Sequence, residues 1–120
     1  MIVDSGKNDL ALSYIKDNYQ KIKVGVGSDD TTAGTVDLDS PIVQSDGTVL
    51  TNTSIIPSVQ NSRLAWTVTF TGAELGTQGV SELGIFKNSG DTLLSRVTFA
   101  NTGVVSSSDT VTFTIELEVN

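Results

Sequence analysis

Two stretches of this chain alternate apolar and polar residues with period two, and they constrain the fold more than any other feature. In Arg63–Thr71, RLAWTVTFT, the residues Leu64, Trp66, Val68 and Phe70 fall on one face, with Thr67, Thr69 and Thr71 on the other. In Thr110–Val119, Val111, Phe113, Ile115, Leu117 and Val119 alternate with Thr112, Thr114, Glu116 and Glu118. Side chains of a strand point to opposite faces in turn, so this period marks antiparallel strands with one face on a core and one in water.

The remaining segments extend that reading. Val80–Phe99, VSELGIFKNSGDTLLSRVTF, is predicted to form a hairpin that organises the molecule. Its turn, Asn88-Ser89-Gly90-Asp91, consists of residues that tolerate positive φ, and its arms carry Leu83, Ile85, Leu93, Leu94, Val97 and Phe99. Lys21–Gly27, KIKVGVG, places Ile22, Val24 and Val26 on one strand face, while Gly25 and Gly27 point to a close backbone approach or a sharp exit. Ile42 and Val43 begin a further strand that turns at Asp46-Gly47 and continues over Thr48–Ile56, before a break marked by Pro57 and Asn61. Ahead of the strands, Ser5 is placed to cap a helix over 7–18 whose Leu10, Ala11, Tyr14 and Ile15 form an apolar stripe. That stripe must dock either on the chain's own sheet or on a neighbouring copy.

Six or seven strands with turn signals every ~8–12 residues predict a mainly β fold. The expected form is an antiparallel β-sandwich, jelly-roll-like, with one short N-terminal α-helix. Its 120 residues fit a single domain over 1–120.

Composition narrows the chemistry. There is no cysteine and no histidine, which removes thiolate chemistry, disulfides and the commonest general base. Fourteen acidic residues against seven basic ones give a net charge of −7, without a basic patch, so neither nucleic acid nor an anionic membrane is an expected partner. The start, MIVDSGKNDL, lacks the basic flank and apolar run of a signal peptide, and folding in an aqueous compartment is expected.

Four candidate sites remain. Asp29, Asp30, Asp37 and Asp39 in the loop Ser28–Ser40 offer oxygen ligands for Ca²⁺, but their spacing is not that of an EF-hand, and a solvated loop is the simpler reading. The Gly25-x-Gly27 pair is followed by acids where a phosphate loop needs a helix start, so no nucleotide or other cofactor is expected. Glu74 and Glu82 are the acid pair a glycosidase reading would use. Glu82 is better explained by an ion pair with Arg96 on the facing strand, worth a few tenths to ~1 kcal/mol if exposed. No residue is assigned a catalytic role, and the chain is not expected to be an enzyme.

The hairpin motif Ser81-Glu82-Leu83-Gly84-Ile85-Phe86, then Asp91-Thr92-Leu93-Leu94-Ser95-Arg96-Val97-Thr98-Phe99, and the closing Thr110-Val111-Thr112-Phe113-Thr114-Ile115 occur in an informative order. Together with Val24-Gly25-Val26-Gly27 and the following Ser28-Asp29-Asp30-Thr31-Thr32-Ala33, this order resembles that of small virion structural proteins of tailed viruses of bacteria and archaea. The resemblance covers roughly 21–119. It implies a capsid decoration or cement protein, a turret component, or a module of a tail fibre or collar, located in the virion after synthesis in the host cytoplasm. The implied partners are other virion proteins, major capsid or tail proteins, and further copies of the chain, with a trimer favoured. The helix in place of a long fibre-attachment segment favours a compact subunit over a shaft, and Leu10, Tyr14 and Ile15 are the expected oligomer contacts. The runner-up is a module that binds a receptor or host surface glycan through the acidic loop and the loop Ala100–Asp109.

Overall fold

The computed structural model describes residues 1–119. One helix, α1 (Asp4–Asn18), precedes seven strands: β1 (Lys21–Gly25), β2 (Thr51–Asn52), β3 (Ser58–Gln60), β4 (Arg63–Thr71), β5 (Glu82–Phe86), β6 (Leu93–Thr98) and β7 (Thr110–Glu118). They form two antiparallel sheets, one of order β2-β1-β5-β6 and one of order β3-β4-β7, in a sandwich-like arrangement. The core lies between them. Leu64, Trp66, Val68 and Phe70 of β4 pack with Ile22 and Val24 of β1 and Leu83 and Ile85 of β5.

The period-two reading of β4 holds residue for residue, since its four apolar side chains are buried and its intervening threonines face out or sit at the rim. In β7 the same period gives a different result. Its odd-numbered residues face the core but remain partly exposed, because β7 lies at the sheet edge. Phe99 and Phe113 meet with ring centroids 5.5 Å apart.

Three expectations are corrected. The helix begins at Asp4 with Val3 at its cap position, so Ser5 lies in the first turn and caps nothing; the Asp4 carboxylate instead sits at the positive end of the helix dipole. The inward face of α1 is Ala11, Leu12 and Ile15, with Leu12 fully covered, whereas Leu10 is 61% and Tyr14 51% exposed. Residues two apart in a helix stand about 200° apart around its axis, so burying Leu12 turns Leu10 and Tyr14 to the outside. Docking on the chain's own sheet therefore uses Leu12 and the half-buried Ile15, which packs against the core. Finally, the strand expected over 48–56 is regular only at Thr51–Asn52, because Ser54 adopts φ +60.

Turn chemistry fixes the register of both long hairpins. Asn61 and Ser62, at φ +51 and +66, join β3 to β4 as a two-residue type I′ turn requires. At the other hairpin Gly90 and Asp91 take positive φ, and the turn is bolted to the helix exit. The Asn88 amide N–H donates to Asn18 O at 2.8 Å, and the Gln20 N–H donates to Asn88 Oδ1 at 2.8 Å. Trp66 Nε1 donates to Tyr19 O at 2.9 Å, tying β4 to the same junction.

Candidate functional site

Strand β5 is buried on both faces, which a half-solvated antiparallel strand is not. Leu83 and Ile85 face the core; Glu82, Gly84 and Phe86 face the other way. By register Glu82 lies beside Gly25 of β1, and Gly84 lies between Lys23 of β1 and Arg96 of β6. Water would normally cover this outer face. Here the segment 26–40 folds down over it, and the Glu82 carboxylate holds it there.

Oε2 of Glu82 accepts hydrogen bonds from the amides of Gly27 at 2.8 Å and Ser40 at 2.7 Å. Oε1 accepts from the Asp39 amide at 2.8 Å and from Arg96 Nε at 2.9 Å. One carboxylate thus gathers both ends of the loop. The glycines make this approach feasible, because a Cβ on either Gly25 or Gly27 would stand 2.5 Å from Glu82 Oε2. Arg96 grips the outbound half: its Nη1 donates to Asp29 O and, at 3.0 Å, to Thr31 Oγ1. Ser81 Oγ donates to Gly27 O at 2.8 Å, and Leu38 is buried above Gly84. Figuratively, the loop is buttoned to the sheet.

The Glu82–Arg96 pair is therefore present but not as an exposed surface contact. Glu82 is 0% and Arg96 5% exposed, and the two stand diagonally, Glu82 opposite Thr98 and Arg96 opposite Gly84. Burial pushes the Glu82 carboxyl pKa up, but the amides of Ser40 and Asp39, the Arg96 guanidinium and the Gly27 amide outweigh it and hold the group below the usual carboxylate value. Arg96 Nη2 is buried with no hydrogen-bond partner among the described residues.

Asp29, Asp30, Asp37 and Asp39 line one open pocket of about 380 Å³ together with Arg96. Among the described residues no group of three carboxylates converges as a metal site requires. These aspartates contribute through the backbone at Asp29 O and Asp39 N, and through Asp37 Oδ1, which accepts the Leu38 amide at 2.7 Å. The four aspartate side chains remain exposed, as in a solvated loop, while the loop's backbone is clamped to the sheet.

The Glu74/Glu82 pair is not free to act on a substrate. Glu74 Oε1 accepts the Thr71 amide at 2.9 Å while Thr71 Oγ1 accepts the Glu74 amide at 3.1 Å, a reciprocal capping box that folds the turn after β4. Trp66 is buried and offers no stacking platform for a sugar. The loop Ala100–Asp109 anchors on the residues entering β5: Thr102 N–H donates to Val80 O, and Thr102 Oγ1 accepts from Val80 N–H, each at 3.0 Å. Both long loops thus hang on Val80–Glu82.

Among the described residues no helix is long and apolar enough to cross a membrane. No protein-family model, no curated protein and no solved structure matches this chain.

Sequence reasoning found Glu82 and Arg96 but missed the amides of Gly27, Asp39 and Ser40 and the Thr31 hydroxyl. The one signal for them was the Gly25-x-Gly27 spacing ahead of an acidic turn.

Proposed function

We propose that this chain is a non-enzymatic virion structural protein, a decoration or cement protein or a turret subunit on the capsid surface of a tailed virus. The observation that carries the reading is the hairpin motif SELGIF…LLSRVTF together with the use its polar residues are put to. Ser81, Glu82 and Arg96 all bond to the segment 26–40 and clamp it over the sheet's outer face. A motif that rigidifies an exterior suits a subunit whose task is to present a fixed surface to neighbours.

The partners are other virion proteins, major capsid or tail proteins, and further copies of this chain, a trimer being favoured. Val3, Leu10 and Tyr14 follow helical spacing and are exposed, which supplies an apolar stripe for such a contact. Adding purified protein to particles that lack it tests the reading. Saturable binding to the capsid shell supports it, and absence of binding to any part of the particle contradicts it.

A tail fibre or collar component, or a receptor- or glycan-binding module, is the second reading. The open pocket favours it, because its exposed carboxylates offer acceptors suited to sugar hydroxyls. Glycan-array binding abolished by Asp37→Ala would favour this reading over the first.

A further inference from the structure

We propose that β7 is a self-association edge, pairing antiparallel with β7 of a second copy about a two-fold axis through Thr114. This goes beyond the virion reading and stands on the geometry of the strand alone.

In the β4–β7 ladder the Val119 amide donates to Ser62 O at 2.8 Å, and at the other end the Gly72 amide donates to Asp109 O at 2.8 Å. Narrow pairs alternate along an antiparallel ladder, so the odd-numbered residues of β7 bond to β4. The amides and carbonyls of Thr110, Thr112, Thr114, Glu116 and Glu118 then point to the open edge. These five residues are exposed, and β7 ends its sheet. Its nine residues contain no proline and no lysine, two of the devices that usually blunt such an edge.

The strand is complementary to itself. Its middle residue, Thr114, is one whose backbone faces outward, so an axis there pairs the strand over its full length. In that register Thr114 meets Thr114 of the second copy, Thr112 meets Glu116, and Thr110 meets Glu118. No carboxylate faces a carboxylate, whereas a parallel pairing in the same register would set Glu116 on Glu116. The threonine hydroxyl pairs within the chain, Thr69 with Thr112 at 2.7 Å and Thr67 with Thr114 at 3.3 Å, would continue across the axis. On the other face, Phe113 would meet Ile115 of the second copy, covering part of a row that one copy leaves half exposed. The two three-stranded sheets become one six-stranded sheet.

The chain has no cysteine, so a single introduced thiol reports the contact cleanly. Across a narrow antiparallel pair the Cα atoms stand about 5.5 Å apart, within disulfide reach. Mild oxidation of Thr114→Cys is expected to give a covalent dimer, while Thr69→Cys, on the same face but one strand removed from the β7 edge, stays monomeric under denaturing electrophoresis. In sedimentation, Thr114→Lys is expected to raise the dimer dissociation constant at least tenfold with an unchanged circular dichroism spectrum. Equal cross-linking of the two cysteine variants, or a wild type that sediments as a monomer at high micromolar concentration, would overturn the proposal.

Discussion

Acid is expected to loosen this protein at Glu82. Its folded-state pKa lies below the ordinary value of about 4.3, so its contribution to stability is complete above that pH and is lost as pH falls through the folded value. Urea midpoints measured across the acid range are expected to fall with pH, and Glu82→Gln is expected to lack that part of the slope. Arg96→Leu removes the side chain paired with the buried Glu82 carboxylate, and a loss of about 3 kcal/mol is expected from chemical denaturation. Hydrogen exchange gives a local readout: in either variant the amides of Asp39 and Ser40 are expected to lose protection while those of β4 keep theirs. The pairing of Glu82 with Arg96 was legible in the sequence because both sit in a hairpin of clear register. Its burial was not, because the cover is a loop of Asp, Thr, Ser and Gly whose own composition reads as solvated.

At the scale of elements, the strands that alternate cleanly were legible and those held by a partner were not. β4 declares itself through Leu64, Trp66, Val68 and Phe70; β3 has only Val59, exposed, and exists because the Asn61-Ser62 turn folds it onto β4. Ser62 sits at φ +66, a conformation an L-residue adopts at a cost, so Ser62→Gly is expected to stabilise the protein by about 0.5–1 kcal/mol in thermal unfolding. The helix shows the limit of a stripe argument, because several apolar arcs fit one short helix and only the docked one is buried. Leu12→Ala is expected to cost about 2–4 kcal/mol and Leu10→Ala less than about 0.5 kcal/mol. If the exposed arc mediates assembly, Leu10→Asp weakens the oligomer without unfolding the chain, whereas Ile15→Asp destabilises the fold itself.

For the molecule as a whole, two facing sheets with one helix follow from period-two patterning and turn spacing, and that level was legible. The surfaces were not, because what lies at a sheet edge depends on strand order, which alternation does not encode. Thr110–Val119 alternates as cleanly as the central strand β4 and is an edge. The half-exposed row of β7 and the outward arc of α1 are the apolar surfaces on which the proposed contacts with neighbours rest. The direct test is the composition and density of gradient-purified virus particles whose genome encodes this chain. The account expects the chain in every particle at a fixed ratio to the major capsid protein, with density for its two-sheet body on the particle surface. Purified particles that contain none of it would contradict the account.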